Sequence, residues 1–490
     1  MAFWHGGHRS LRGIHTIVTC AALLLFAWLT LRHVGESVFL EDQVDQLQNF
    51  ESLVRLRPEG LWGAIMSGTV PPARALGPLG AVVFGVPVAL GLGIDGIHIT
   101  TSLLIALGTA VCFITLAGID VAFAWLWLLV FSATGLVWWN AGMLWSNTVL
   151  LPCGLAVAAL AASCLQRPSR VTLGWLVVAG LFALQLHLVA VVAVPVIAIV
   201  ASVTFREARR VSTRTQVWMI AAAVVVALGP YLLAEGMTGF RNTRAILGHL
   251  GGSGSADTGS ATMALTIALD PTGLLRSLGL SFIPLIGVGA ALSTAAVWLV
   301  ARSDRVLYWM TACAIAAIAG QGLFFWWMSR PFAGYHHVTL LAPFYAVVPA
   351  VLLRRALFTP PISMQAACGV GAAVLALLVL AGSSMADRNL ERTPWSYARI
   401  RATVDALCGD AAVQTDEGPG FAALLNPQYD SVLRYMMRRG LTTCRYQPSS
   451  DVMIAARRDG DYPASKAIGQ SMYLRELVLP PGIARYRRAP

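Results

Sequence analysis

Glu41, Asp42 and Asp45 place three carboxylates within five residues, just after an apolar run. On a helix, 41 and 45 share a face, and 42 and 45 are also neighbours. Carboxylates gathered at a membrane surface suit metal binding or removal of a proton from a hydroxyl. A solvated loop helix has the same composition, so the spacing alone does not decide. Arg74 follows Pro71-Pro72 and opens a glycine-rich apolar segment. A guanidinium there matches a phosphate by paired hydrogen bonds; the plainer role is an interfacial arginine reaching for water. His187 sits inside an apolar double run, where a polar group is costly and is either functional or a satisfied buried ring. Arg241 and Arg244 lie in Phe240-Arg241-Asn242-Thr243-Arg244, and Arg330, Tyr335, His336 and His337 crowd the entrance to another apolar run. His336 and His337 are adjacent and diverge in direction, so a phosphate contact suits them better than a shared metal. Trp138, Trp139, Asn140, Trp145, Ser146 and Asn147 read as interfacial belt residues or as a sugar-stacking platform.

Composition names the scaffold that must position these groups. The chain has 490 residues, 57% hydrophobic and 12% charged, with a net charge of +11. Soluble domains carry about 25% charged residues. A soluble enzyme is thereby excluded, and so is a disordered chain, which needs low hydrophobicity. A polytopic all-α membrane protein remains. Apolar runs of spanning length occur near 14–32, 98–117, 121–139, 147–165, 171–186, 188–205, 216–234, 276–301, 306–328, 337–353 and 363–384, giving about 11 spans. The run 75–93 carries Pro78, Pro87 and five glycines, and fits a helix that does not cross.

Charge orients the spans. With the N-terminus cytoplasmic and 75–93 not crossing, Arg167 and Arg170, Arg206, Arg209, Arg210 and Arg214, Arg302 and Arg305, and Arg354 and Arg355 all fall on the inside. Segments 33–97, 140–147, 235–275, 329–336 and the tail then lie outside. The first run reads as a retained anchor. The basic excess is explained by loop arginines, so no nucleic-acid partner is expected.

Residues 1–384 form the transmembrane body, with a first external loop at 33–97. Residues 385–490 have soluble composition, with 15 basic and 11 acidic residues from Asp387 on. Buried-strand patterns at 411–415 and 452–456 and helical spacing at 396–407 and 431–439 predict a small external α/β domain. Cys408 and Cys444 are its two cysteines, and an external location would permit a disulfide between them. No phosphate-binding glycine loop, GxSxG, HExxH or dinucleotide fingerprint occurs. An external site would also lack sugar nucleotides, which points to a donor delivered on a lipid.

The order of these features resembles the GT-C superfamily of polyprenyl-phosphate-sugar-dependent glycosyltransferases, among them protein mannosyltransferases and bacterial aminoarabinose transferases. The resemblance is diffuse and runs over most of 14–384. Glu41-Asp42-Gln43 occupies the place of the acidic pair that opens the first external loop, with Gln43 replacing the second acid. Val70-Pro71-Pro72 through Val83-Phe84-Gly85 looks like the element before the embedded helix, without its usual His. Asn140 and Asn147 stand where an Arg and an Asp are usual. His187 takes the place often held by Lys. Pro230-Tyr231-Leu232 with Glu235, then Gly239 to Arg244, and Arg330 to Pro343 look like the later external segments.

The resemblance implies an inverting transfer in the bacterial inner membrane, from a polyprenyl-phosphate sugar to a hydroxyl of a lipid, glycan or protein. Asp42, Glu41 or Asp45 would act as base. Arg74, His187, Arg241, Arg244, Arg330, Tyr335, His336 and His337 would hold the donor phosphate, whose charge grows at the transition state. Some members use a divalent metal; one acid cluster favours no tightly held ion or cofactor. A transporter or flippase would need ion-coupling groups in mid-span and internal repeats. An O-antigen polymerase or ligase would need a larger, more arginine-rich external loop than 235–275. Both remain as alternative readings.

Overall fold

A computed structural model of the protein describes residues 3–32, 34, 41–63, 65–67, 73–141, 146–207, 213–250, 258–301, 304–328, 335–358, 366, 369–371, 373–374, 396–409, 412–415, 430–447, 450–456, 464–468, 471–479 and 483–489. Helix α1 (Phe3–Leu31) precedes the first-loop helix α2 (Glu41–Val54). The antiparallel pair β1 (Ile65–Ser67) and β2 (Ala73–Arg74) follows, then α3 (Leu79–Ala89) and α4 (Gly93–Ala117). The body continues through α5 (Val121–Ala133), α6 (Gly135–Ala141), α7 (Leu150–Gln166), α8 (Arg170–Leu186), α9 (Val194–Glu207), α10 (Thr213–Thr238) and α11 (Arg241–Leu250). It ends with α12 (Thr258–Leu269), α13 (Leu274–Ser277), α14 (Phe282–Ala301), α15 (Arg305–Met328), α16 (Ala342–Tyr345) and α17 (Val347–Leu357).

The chain is a multi-pass membrane protein. Among the described residues, five helical stretches are long and apolar enough to cross a bilayer: Gly93–Ala117, Leu188–Glu207, Ile283–Val300, Arg305–Trp327 and Val338–Leu357. Helix α3 has 11 residues, about 16 Å at 1.5 Å per residue, against a hydrocarbon core of about 30 Å. It packs on α2 and α4.

Several expected spans differ in detail, for local reasons. The run 121–139 breaks at Thr134, whose extended backbone (ψ 130°) ends α5 and whose hydroxyl donates to the Phe131 carbonyl at 2.7 Å. The run 276–301 becomes a single turn, α13, and then α14 from Phe282. Residues 337–353 do not form one helix: a 3₁₀ segment, Tyr335–Leu341, leads into α16 at Pro343 and then α17. The Pro343 carbonyl instead accepts from the Trp127 indole at 2.8 Å. Segment 235–275 is more than an external connection. Its α12 is too short to span and packs between α14 and α15, burying Ala264, Ile267 and Ala268. The glycine-serine stretch 251–257 and most of the expected last span, 363–384, lie outside the described residues.

The arginine-rich connections meet at one end of the body. Arg354 at the end of α17 pairs with Asp120 before α5 through two nitrogens, at 2.7 and 3.0 Å. Arg305 pairs with Glu207, and Arg170 lies over the Phe205 ring. Gln166 donates to the Thr115 carbonyl, near the C-terminus of α4. The opposite end of α4 carries Asp95, close enough to the tail that, beyond burial, its charge helps to raise the Tyr397 phenol.

The tail contains α18 (Tyr397–Cys408), β3 (Ala412–Thr415), α19 (Asp430–Arg438), β4 (Arg445–Tyr446), β5 (Val452–Ala456), β6 (Ser465–Ile468), β7 (Ser471–Leu479) and β8 (Ile483–Arg488). The sheet order is β4-β3-β5-β8-β7-β6. β3 runs parallel to β4 and β5, and the other pairs are antiparallel. Ile400, Val404 and Leu407 of α18 are buried, and Cys408 is disulfide-bonded to Cys444 across a Cα separation of 5.7 Å. Arg439 pairs with Glu51 of α2. Burial, with Glu51 close by, pushes the Tyr435 phenol up to about 12, so it stays neutral.

Candidate functional site

The site is built on α2. Asp45 and Asn49 are one turn apart and share a face. The Asp45 carboxylate is gripped by both arms of the Arg74 guanidinium, Nη2 to Oδ1 at 2.8 Å and Nη1 to Oδ2 at 3.2 Å. The two side chains are only 12% and 19% exposed, which strengthens the pair relative to a surface one. Arg74 Nη1 also donates to the Gly63 carbonyl at 3.1 Å. Asn49 Nδ2 donates to the carbonyls of Trp62 and Gly63, at 2.8 and 3.1 Å. The loop after α2 is thus folded back onto the helix that bears the acids.

Asn242, at the start of α11, holds the backbone of Arg74 from the other side. Its Oδ1 accepts from the Arg74 N–H at 2.7 Å, and its Nδ2 donates to the Arg74 carbonyl at 3.0 Å. Asn242 is held in turn by Glu235 of α10. The fully buried Glu235 carboxylate accepts from the backbone N–H groups of Asn242 at 3.2 Å and Thr243 at 2.8 Å. The side chain thus caps the N-terminus of α11, where the helix dipole favours an acidic group. The reversal between the two helices needs Gly239 (φ 64°) and Phe240 (φ 59°), consecutive left-handed residues. Phe240 lacks glycine's freedom, so this turn is strained.

Gln185 at the end of α8 closes the cluster. Its Nε2 donates to the Ala227 carbonyl of α10 at 2.5 Å. A Cβ at Gly77 would come within 2.7 Å of the Gln185 side chain, and one at Gly63 within 2.7 Å of the Gln185 carbonyl. Glycine is required for this approach. Two residues on, His187 is extended and ends α8. Its Nδ1 accepts from the Val189 N–H at 3.1 Å, so the neutral ring carries its proton on Nε2.

The expected residues therefore sort as follows. Asp45 and Arg74 are brought together as partners of each other, and His187 ends α8 two residues after Gln185, which packs against that loop. Arg241 and Arg244 are exposed on α11 and form no ion pair among the described residues. Glu41 and Asp42 belong to the first turn of α2 and Tyr335, His336 and His337 to the 3₁₀ segment, with side chains outside the described set; Arg330 lies outside the described residues altogether. Trp138 is a core residue, buried against Phe26 and donating to the Ser132 carbonyl. Asn140 is buried and donates to the Leu136 carbonyl and to Thr339 Oγ1 of the 3₁₀ segment. Among the described residues no three His, Cys, Asp or Glu side chains converge as metal ligands would.

Glu235, Asn242, Asn49 and Gln185 did not stand out as site residues in the sequence. The detectable signal is Glu235, an acid in an apolar helix, followed by Gly239 at a helix break.

The arrangement has the fold of a solved protein, ArnT. No family model matches the sequence, and no curated protein matches it. Solved structures do. The apo crystal structure of ArnT from Cupriavidus metallidurans superposes with a TM-score of 0.54 at 14% identity, covering 90% of this chain and 92% of that one. The same protein bound to undecaprenyl phosphate gives a TM-score of 0.50 at 14% identity, covering 92% and 93%. At this identity the likeness establishes the fold.

Proposed function

We propose that the protein is a glycosyltransferase that moves a sugar from a polyprenyl-phosphate carrier to a hydroxyl acceptor at the external face of a bacterial inner membrane. The observation that carries this reading is the docking of the acidic α2 helix, through Asp45 and Arg74, onto α11 within an ArnT-like body. The ArnT structure with undecaprenyl phosphate supports a lipid-borne donor.

Each group then has a role. The Asp45 carboxylate is already taken up by two guanidinium nitrogens. Asp45 is therefore a positioning residue. Asp42, one turn earlier on α2, is the base that removes the acceptor proton, with Glu41 beside it. The exposed Arg241 and Arg244, the His187 Nε2–H and Arg330 stabilise the departing lipid phosphate. Tyr335, His336 and His337, carried by the 3₁₀ segment, are assigned to the same phosphate. The N-terminus is cytoplasmic and the tail external, which puts α2 on the side where the flipped donor is met.

The test uses full-length protein in vesicles with a radiolabelled polyprenyl-phosphate sugar. Label should appear on an acceptor from membrane extracts. Movement of the lipid across the vesicle without transfer would favour a transporter and sink this reading.

A further inference from the structure

A cavity of about 540 Å³ opens between α2, α3 and the end of α19, within the usual range for small-molecule sites. Leu47, Phe50, Val54, Val88, Ala89 and Leu441 supply its apolar wall. Gly85 lets α3 close on α2, since a Cβ there would collide with the Phe50 ring. Charge sits only at the rim. Glu51 is taken by Arg439. Arg55 is exposed and forms no ion pair among the described residues, so the rim has an excess positive charge.

The surroundings identify the occupant. Gly91 and Gly93 of the cavity wall lead into α4. Ile99, Leu103, Leu107, Val111 and Ile114 are all exposed along α4, recurring every three to four residues as one face of the helix. In a spanning helix, such a stripe faces lipid. It runs up to Leu92 and Leu90, which are exposed beside the cavity, with Val54 exposed in its wall. The cavity is thus the outer continuation of a lipid-facing surface.

We infer that this cavity seats one anionic membrane lipid, with an acyl chain between α2, α3 and α19 and the headgroup at Arg55. Because α2 also carries the Asp45–Arg74 pair, the lipid braces the tail and the first loop together. The inference does not depend on the transfer reaction.

The test is photolabelling of the full-length protein in vesicles. The probe is phosphatidylglycerol with a diazirine near the end of one acyl chain, compared with the same probe bearing a phosphatidylcholine headgroup. Labelled peptides are mapped by mass spectrometry. Label should enter 47–54, 85–93 and 435–441, about five-fold more from the anionic probe, the worth of one basic side chain at an anionic surface. Arg55→Gln, at an exposed position, should bring the anionic probe down to the zwitterionic level. Val88→Trp, which fills the cavity, should remove the label while Arg55 is intact. Label confined to the spans would mean that the cavity holds protein or water and would overturn the inference. Equal labelling by both probes, or no effect of Arg55→Gln, would overturn the anionic assignment.

Discussion

Arg74 and Asp45 close the first loop on itself, 29 residues apart in sequence and joined by two hydrogen bonds of 2.8 and 3.2 Å. Arg74 faces Asp45 with its side chain and Asn242 with its backbone, so a single residue ties α2 to α11. A double-mutant cycle reads this directly. Asp45→Asn and Arg74→Gln should each cost about 2 kcal/mol in thermal or denaturant unfolding. The double variant should cost little more than either single one. Full additivity would mean that the pair contributes nothing.

Glu235 is the anchor behind Asn242. Glu235→Ala leaves the buried Asn242 N–H and the half-buried Thr243 N–H without their acceptor, at up to about 1–3 kcal/mol each. Glu235→Gln keeps one acceptor oxygen and should lose less stability. Equal melting temperatures for the two variants would contradict the capping role.

The disulfide closes a loop across a sequence separation of 36. Chain-entropy reasoning gives it about 4 kcal/mol of tail stability. Non-reducing peptide mapping should recover the Cys408 and Cys444 peptides linked. Cys408→Ser with Cys444→Ser should unfold the tail at lower denaturant while leaving the body folded. Free thiols at both positions in intact protein would refute the pairing.

The proposed sidedness can be tested at the two ends of the body. Single cysteines placed at Arg57 and Arg244 should react with a membrane-impermeant maleimide from outside intact cells. Cysteines at Arg206 and Arg355 should react only after the membrane is opened. The opposite pattern would invert the topology.

Much of this was legible in the sequence. Clustering of arginine picked out the connections that meet through Asp120–Arg354 and Glu207–Arg305. The strand patterns at 412–415 and 452–456 and the helices of the tail were readable because one face of each is apolar. β7 and β8 were not, since Arg475, Glu476, Arg485 and Arg487 interrupt their alternation, and Glu476 pairs with Arg485 and Arg487 across the strands. The acids of α2 and Arg74 were visible as chemistry, but their pairing was not. That depends on a hairpin and on Asn242, 168 residues away, and no periodicity reports such a contact. Helix α12 was hidden for a related reason: an apolar stretch too short to span looks like part of a loop until its partners are known.

In the proposed reaction Asp42 is the base and Asp45 holds the loop. The most direct measurement is the rate of sugar transfer from a polyprenyl-phosphate sugar in vesicles by the wild type, Asp42→Asn and Asp45→Asn, with donor binding and melting followed in parallel. Asp42→Asn should lower kcat by roughly 10²–10⁴-fold, with donor binding and stability kept, whereas Asp45→Asn should lose stability first. Full activity in Asp42→Asn would contradict the account.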